Sequence, residues 1–205
     1  MEEHLTIKAL GVDLGTARIY TTSTGKMLNA AKIASKISPH IKFLEKISKI
    51  DTKHCKQYFN ENVEKLNTYI YDINRRITNK LILEALNKNF NAIALEDLEI
   101  DWYNKINKWT KHVVPTWLFK QLQLNIINKC ILNNLYPILV PPYKTSSQCS
   151  NCLSFNIIRK NRMFHCYQCR SYMDADVNAA KNISRLAEDL TISRIYDPSK
   201  EIIDN

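Results

Sequence analysis

Three short blocks near the end of the chain decide its fold: TSSQCSNC (145–152), FHCYQC (164–169) and DADVNAA (174–180). The first two blocks carry two C-x-x-C pairs, which thirteen residues (153–165) separate. In each pair one tight turn directs two thiolates at one point, and four thiolates form the closed tetrahedral site that structural Zn²⁺ prefers. The spacing therefore predicts a zinc ribbon with a short hairpin between the pairs. Its ligands would be Cys149, Cys152, Cys166 and Cys169.

Two other kinds of site use C-x-x-C pairs, namely a redox dithiol and an iron–sulfur cluster. A redox pair opens a helix after a strand in a βαβ setting, and the sequence around these cysteines has no such pattern. The iron–sulfur cluster is the alternative that four thiolates leave open. Cys55 and Cys130 lie in helical-looking segments, where we expect small buried hydrophobic residues.

Hydrophobic periodicity in the rest of the chain predicts one mixed α/β domain with a five-stranded sheet. Strands are expected at 5–14, 19–24, 26–33, 91–98 and 136–142, and helices over 39–89, from Pro115 onward and over 174–190. The predicted organisation is a core over 1–142 with a helical insertion at about 39–89, the ribbon over 143–173, a closing helix over 174–190 and a polar tail over 191–205.

Three acidic residues are expected to meet at one edge of this sheet. Asp13 closes the first strand, Glu96 closes the fourth, and Asp176 begins the last helix. If strands four and five lie parallel to strand one, their carboxyl ends share an edge. Carboxylates that crowd together favour a cation, and oxygen-only ligands suit Mg²⁺ or Mn²⁺. Two such ions can promote phosphodiester hydrolysis by water, so a metal-dependent nuclease is the predicted chemistry.

Each acid also has an ordinary structural interpretation. Asp13 can cap a turn, Glu96 or Asp97 can be solvated, and Asp176 can cap a helix.

Glycine scarcity excludes several alternatives, because the chain has 3 glycines among 205 residues. Neither a G-x-G-x-x-G fingerprint nor a G-x-x-x-x-G-K-[ST] loop occurs, which excludes nucleotide sites built on clustered glycines. The GVDLGTA segment (11–17) also resembles the first phosphate loop of actin-like and Hsp70-like ATPases. Those proteins need a second glycine-rich loop, and no glycine follows Gly25.

Read together, these motifs resemble the catalytic half of the transposon-associated TnpB nucleases, which are related to type V CRISPR effectors and Fanzor proteins. GVDLG (11–15) resembles their first RuvC motif, ALEDLEI (94–100) the second and DADVNAAKNI (174–183) the third. WLFKQLQLNIINKC (117–130) resembles the helix after the second motif, and the two cysteine blocks resemble the inserted zinc ribbon. The resemblance implies an RNase H-like, RuvC-type fold that holds Mg²⁺ or Mn²⁺ on Asp13, Glu96 and Asp176. It makes the neighbouring Asp97 and Asp174 the less favoured ligands.

The chain departs from this family in two respects. The first motif begins at residue 11, so the guide-RNA and target-binding region of full TnpB-like proteins has no counterpart before it. We therefore expect that a second protein chain supplies guide binding, that targeting has been lost, or that the chain is a remnant. The family also has glycine after the second cysteine of each pair, where this chain has Leu153 and Arg170. We expect strained turns there, because glycine tolerates positive φ best.

Basic and aromatic residues suggest a nucleic-acid partner, which accords with the formal net charge of +9. Four basic residues on the ribbon are candidate phosphate contacts: Arg159, Lys160, Arg162 and Arg170, with Arg162 favoured. Between residues 32 and 88, 12 Lys and Arg accompany 6 acids, which fits a phosphate-binding platform or a solvated helical face equally well. Trp102, Tyr103 and Trp109 can stack on bases, although packing is the commoner use of such residues.

The predicted function is a divalent-metal-dependent DNA endonuclease of RuvC type, associated with a mobile element or virus. The alternative is a protein on the same scaffold that binds nucleic acid without cleaving it, as a regulator or processing factor. No apolar run is long enough to span a membrane, and the first residues do not form a signal peptide. The expected location is intracellular and cytoplasmic, or nuclear in a eukaryotic or viral setting.

Overall fold

A mixed six-stranded sheet forms the centre of the computed structural model, which describes residues 6–97, 116–142, 144–189 and 194–196. The strands lie in the order β3-β2-β1-β4-β5-β9. Their bounds are β1 Ala9–Leu14, β2 Arg18–Thr22, β3 Met27–Asn29, β4 Ala92–Glu96, β5 Tyr136–Val140 and β9 Arg194–Ile195. The β1, β4 and β5 strands are parallel, and the other pairings are antiparallel. The five predicted strands therefore all form, and β4 and β5 run parallel to β1 as the site prediction requires.

Alternation along the strands divides the side chains between two faces of the sheet. Leu10 and Val12 of β1 join a large core that also contains Ile93 and Leu95 of β4. Ala9, Ala92 and Ala94 belong to a second, smaller core on the opposite face. Asp13 and Glu96 continue the alternation of the alanines, so they lie on the face with the smaller core.

Helices cover the two faces unequally. The large core is packed by α1 (Ala31–Ile47), α2 (Lys53–Asn87) and α3 (Thr116–Leu132). The smaller core is closed by α4 (Ala175–Glu188), which contributes Ile183 and Ala187. The side of the sheet that carries Asp13 and Glu96 is therefore the side on which α4 lies.

The helical insertion begins earlier than predicted. Its first helix starts at Ala31 and contains Pro39, whereas the sequence pattern predicted a third strand up to residue 33 and helices from residue 39. The proline interrupts a helical hydrogen bond. Ala34, Ile37 and Leu44 are nevertheless buried on both sides of it, so packing of this face maintains one continuous helix.

The ribbon forms a second, three-stranded sheet in the order β6-β7-β8. These strands are β6 Ile157–Lys160, β7 Met163–Cys166 and β8 Tyr172–Asp174. Asn161 and Arg162 connect β6 to β7 with φ of 49° and 64°, the backbone that a two-residue hairpin with matching twist requires. The predicted hairpin between the cysteine pairs is confirmed.

The end of the chain differs from the predicted polar tail, because Arg194 and Ile195 form β9 against Leu139 and Ile138 of β5. Two paired residues are too few to show the alternation by which a strand is recognised in sequence. Among the helices that the structure describes, none combines the length and apolar character needed to cross a bilayer.

Candidate metal centres

Asp13 and Glu96 lie at the same edge because their strands are parallel and in register. Val12 pairs with Leu95, and the two acids follow these residues directly. Both side chains are partly buried at the carboxyl end of the sheet. Strand pairing thus brings together two carboxylates that are 83 positions apart in sequence.

Close packing of α4 on β1 brings Asp176 to this edge. A Cβ on Gly11 would lie 2.0 Å from the carbonyl oxygen of Ala180 and 2.5 Å from the amide nitrogen of Ser184. The hydroxyl of Ser184 also donates a 2.7 Å hydrogen bond to the carbonyl of Ala9. The α4 helix therefore rests directly on the β1 backbone, and its first turn, with Asp176, lies over the strand ends.

Two arginines neutralise the acids at the start of α4. The Arg18 guanidinium contacts Asp174 at 2.6 Å and Asp176 at 3.2 Å. From the ribbon strand β6, Arg159 contacts the other carboxylate oxygen of Asp176 at 3.1 Å. Asp174 is the N-cap of α4, because its carboxylate accepts hydrogen bonds from the Asp176 and Val177 amides. The cap that sequence alone could assign to Asp176 belongs to Asp174.

Burial and neighbouring carboxylates make Asp13 the most perturbed acid of the group. Desolvation, followed by the charges of Glu96 and Asp176, raises the pKa of Asp13 to about 8. Burial also raises the pKa of Glu96, and a hydrogen bond from the Thr145 hydroxyl to its carboxylate lowers this pKa in part. For Asp174, burial acts to raise the pKa, but hydrogen bonds from Arg18 and the backbone bring it below its usual value.

The charges of Glu96 and Asp176 both act on the Asp13 carboxylate. In the described part of the chain, one group of three or more Cys, His, Asp or Glu side chains has all its ligand atoms within 4.8 Å of one another. That group is the four cysteines. The three acids are therefore more widely spread. Asp13, Glu96 and Asp176 would hold a divalent ion at this edge, which would supply charge neutralisation and water activation. The donor set fits Mg²⁺ or Mn²⁺.

The four cysteine thiols form the second candidate centre. The Sγ atoms of Cys149 and Cys169 are 3.6 Å apart, and those of Cys152 and Cys166 are 3.5 Å apart. Tetrahedral Zn²⁺ with Zn–S bonds of about 2.3 Å requires sulfur–sulfur distances of about 3.8 Å. The thiols fit a closed zinc site, which leaves no position for a water ligand.

The two cysteine turns have nearly the same backbone. The amide of Cys149 donates to the carbonyl of Ser154, and the amide of Cys166 donates to that of Ser171, each at 2.9 Å. Leu153 and Arg170 occupy the equivalent positions with φ of 63° and 57°. The expected left-handed backbone is confirmed at both positions where the chain lacks glycine.

Asparagines of α4 attach the ribbon to the core. Asn178 and Asn182 both donate to the carbonyl of Gln148, and Asn182 also donates to that of Thr145. Asn178 accepts from the amide of Ser150 in the first cysteine turn. The same helix thus carries Asp176 and fixes the ribbon beside it.

Two residues at the acid edge were not identified from sequence as part of the site. Arg18 lies between the first two predicted strands, at 5–14 and 19–24, and Thr145 lies near the start of the predicted ribbon segment. A threonine directly after an unremarkable Tyr-Lys pair carries no local signal of its contact with Glu96. The basic residue between two strands, Arg18, could have been found only by asking what neutralises clustered acids.

The predicted phosphate contacts occupy different places. Arg159 reaches the acid edge, and its side chain stays 42% exposed. Arg162 lies in the hairpin turn, and Lys160 and Arg170 are exposed on the ribbon.

Cys130 is fully buried, as expected, whereas Cys55 is half-buried. The stretch containing Trp102, Tyr103 and Trp109 lies outside the described residues.

Comparisons of sequence agree with this arrangement. The family profile described as "Cas12f1-like, TNB domain" matches residues 119–183. Cas12f1, a CRISPR-associated endodeoxyribonuclease of Sulfoacidibacillus thermotolerans, is 30% identical over 115 residues, which are 54% of this chain and 26% of that protein. TnpB-like protein L79 of Acanthamoeba polyphaga mimivirus is 26% identical over 134 residues, which are 60% of this chain and 26% of that protein. The chain thus spans about a quarter of these curated relatives.

Comparison of structures supports the same fold. A Cas12f1–sgRNA–target DNA complex contains a chain that matches with a TM-score of 0.63 at 17% identity, covering 85% of this chain and 48% of that one. A CRISPR–Cas12f ternary complex matches with a TM-score of 0.66 at 16% identity, covering 90% and 40%. The fold is the RuvC-like fold with its four-cysteine ribbon, and the chain is similar to TnpB-like nucleases and type V effectors.

Proposed function

We propose that a chain with this similarity to TnpB-like and Cas12f1 nucleases is a divalent-metal-dependent DNA endonuclease of RuvC type from a mobile element or virus. Asp13, Glu96 and Asp176 are its catalytic and metal-binding acids in this proposal. The four cysteines hold a structural Zn²⁺. Hydrolysis of the phosphodiester leaves a 5′-phosphate and a 3′-hydroxyl.

The observation that carries the proposal is the convergence of three separate elements. The parallel β1 and β4 end side by side, and α4 packs against β1 with its first turn at the same edge. Folding brings acids to one buried edge, where burial raises the pKa of Asp13 to about 8. Burying like charges together costs free energy, and a bound cation would offset this cost. The cluster therefore supports a metal site.

The residues around the acids divide the remaining work. Asp13, Glu96 and Asp176 would hold Mg²⁺ or Mn²⁺, which supplies charge neutralisation and water activation when bound. The Thr145 hydroxyl holds the Glu96 carboxylate in place. Arg18, whose side chain is 16% exposed, keeps Asp174 and Asp176 in position at the start of α4. Arg159 is the more exposed of the two arginines and can turn from Asp176 toward a phosphate.

The nature of the relatives supports DNA as the substrate. Cas12f1 is named an endodeoxyribonuclease, and the similar structures contain guide RNA and target DNA. We infer that this chain acts on DNA, and that a guide RNA or a second protein chain takes part in targeting.

Cleavage of labelled single-stranded and duplex DNA with Mg²⁺ or Mn²⁺ tests the proposal. Asp13→Asn and Glu96→Gln keep the side-chain shape and should each lower the cleavage rate about 100-fold or more, since each removes a charge from the metal site. Asp97→Asn is the matched control, because it removes a neighbouring carboxylate from outside the proposed set. Cleavage that persists in both site variants would show that the assignment is wrong.

A second function is favoured by the ion pairs at the acid edge. Because Arg18 and Arg159 already neutralise Asp176, the fold can keep its acids without a divalent ion. A protein that binds nucleic acid without cleaving it would have this property. The same assay distinguishes the two functions, since oligonucleotide binding without any metal-dependent product would support the binding protein.

A further inference from the structure

A groove lies between α1 and the N-terminal half of α2, and the proposed nuclease site does not use it. Its volume is about 420 Å³, within the range of small-molecule and nucleotide sites. The residues that matter for its chemistry are Lys36, His40, Phe43, Lys65, Leu66 and Tyr69. We call the segment 31–69 the arm. The groove that these six residues line is called the arm groove.

Charge is distributed unevenly over the arm. Eight lysines accompany four acids between residues 31 and 69. Among the described residues that line the groove, the lysines and the histidine occur without any carboxylate. The groove wall is therefore more basic than the arm as a whole, which fits an anionic ligand.

Aromatic side chains on the arm remain exposed, although the residues next to them in sequence are buried. Phe43 is 46% exposed and Tyr69 is 40% exposed, whereas the adjacent Leu44 and Ile70 are buried. Phe43 also meets Tyr58 edge to face, with ring centroids 6.2 Å apart. Packing of α1 on α2 thus uses the aliphatic residues and leaves rings at the rim of the groove.

Grooves that bind single-stranded nucleic acid combine basic side chains with exposed aromatic rings. Lysines bind phosphates, and aromatic rings stack on bases in a sequence-tolerant way. A base in a duplex cannot stack on a protein ring, so the ligand must contain unpaired nucleotides. We propose that the arm groove binds a single-stranded segment of DNA or RNA.

The arm groove is separate from the acid edge. Ala34 and Ile37 of the arm belong to the large core, whereas α4 with Asp176 closes the smaller core on the opposite face of the sheet. A strand held in the groove is therefore bound by residues distinct from the proposed cleavage site. The inference rests on the proposed function only for the class of ligand, and the two can fail independently.

Fluorescence anisotropy of the zinc-loaded chain with labelled dT15 and rU15 tests this groove, with magnesium omitted so that no cleavage occurs. Lys36→Gln/Lys65→Gln should weaken binding about 10-fold near 0.15 M salt and reduce the slope of log affinity against log salt by about 1.4, since each phosphate contact to a single strand contributes about 0.7. Phe43→Leu and Tyr69→Leu should each weaken binding about 5- to 50-fold through lost stacking. Comparing the affinities for dT15 and rU15 shows which nucleic acid the groove prefers.

The matched control is Lys42→Gln/Lys53→Gln, which removes the same charge from exposed arm lysines that do not line the groove. It should change the affinity less than about 2-fold at this salt, because exposed charges that do not line the groove are largely screened. Circular dichroism checks that every variant is folded. Ultraviolet crosslinking should attach the oligonucleotide to the peptide containing Phe43 or Tyr69.

Three results would overturn the inference. Equal losses in the two lysine pairs would mean that only overall charge matters. Unchanged oligonucleotide affinity in the ring variants would remove the stacking role. A shift in sedimentation behaviour of the ring variants, without a change in oligonucleotide affinity, would make the groove a contact between copies of this chain. Cleavage variants at Asp13 and Glu96 that still bind dT15 would leave the inference intact even if the nuclease proposal fails.

Discussion

At the scale of single residues, the candidate nuclease site holds the Asp13 carboxylate in a buried setting among other negative charges, which costs free energy. The ordinary pKa of an aspartate is about 3.9. In the folded chain, burial and the charges of Glu96 and Asp176 raise the pKa of Asp13 to about 8. The folded state therefore binds a proton that the unfolded state releases between these two values.

This difference predicts a pH dependence of stability. As pH rises from about 4 to about 8, the unfolded chain loses the Asp13 proton first, so the free energy of unfolding falls. Above pH 8 both states are ionised and the effect levels off. Each pKa unit of difference corresponds to about 1.4 kcal/mol, so a difference of about four units amounts to about 6 kcal/mol. The raised pKa of Glu96 acts in the same direction.

Urea unfolding of zinc-loaded protein at pH 5, 6.5 and 8, without added Mg²⁺, measures this effect. Asp13→Asn should be more stable than the natural chain at pH 8 and lose less stability with rising pH. Added Mg²⁺ should stabilise the natural chain at pH 8 and have little effect on the variant. Parallel pH profiles for the two proteins would contradict the prediction.

The cysteine turns contain a second residue-scale cost. Leu153 and Arg170 have φ of 63° and 57°, a backbone that costs an L-residue about 1–2 kcal/mol. Leu153→Gly and Arg170→Gly should each stabilise the chain by about 0.5–1 kcal/mol, because relief of this cost exceeds the added entropy of the unfolded glycine. Gln168→Gly, at an exposed position in the second turn without positive φ, should destabilise it. Thermal unfolding measures all three, and stabilisation by Gln168→Gly would contradict the backbone explanation.

At the scale of elements, the contact of α4 with β1 decides where the third acid lies. Small residues make this contact possible: Gly11, Ala9, Ala92, Ala94, Ala179, Ala180 and Ala187. The helix approaches so closely that the β1 backbone and the helix backbone are neighbours. The position of Asp176 thus depends on the lack of a side chain at Gly11.

Adding one methyl group tests this dependence. In Gly11→Ala the new Cβ would lie 2.0 Å from a helix carbonyl, so α4 must move or the chain must unfold. We expect a loss of about 3 kcal/mol or more in the free energy of unfolding, and impaired metal-dependent cleavage in whatever remains folded. Gly15→Ala is the control, because its nearest contact is 3.2 Å. Equal stability of the two variants would show that the helix is not seated as described.

At the scale of the whole molecule, the ribbon and the acid edge are parts of one assembly. Asn178 and Asn182 attach the first cysteine turn to α4, while Arg159 of the ribbon contacts Asp176. Thr145, at the start of the ribbon segment, contacts Glu96. Zinc would therefore order a module that supplies two contacts to the proposed catalytic acids.

Loss of zinc should consequently affect more than the ribbon. Cys152→Ser should lower the zinc content below one ion per chain, lower the thermal midpoint and weaken metal-dependent cleavage, although no catalytic acid has been changed. Cys55→Ser, at a half-buried helical position, should leave all three properties nearly unchanged. Full cleavage by zinc-free Cys152→Ser protein would show that the two centres are independent.

The sequence alone determined the features that depend on local spacing. The paired cysteines predicted the four-thiol cluster, the alternation of apolar residues predicted the strands, and a helix was expected from Asp174 onward. Parallel β1 and β4 were expected to bring Asp13 and Glu96 to one edge, as they do. These patterns are readable because ligand spacing, strand period and capping each involve residues a few positions apart.

Only the tertiary structure decided which residues surround the acids. Arg18 meets Asp174 across 156 positions, and Thr145 meets Glu96 across 49. The α1 helix continues through Pro39 because of packing, and β9 is a strand only through its partner β5. Such contacts leave no periodic trace in the sequence, since their energy comes from burial and charge that exist only after distant segments have packed together.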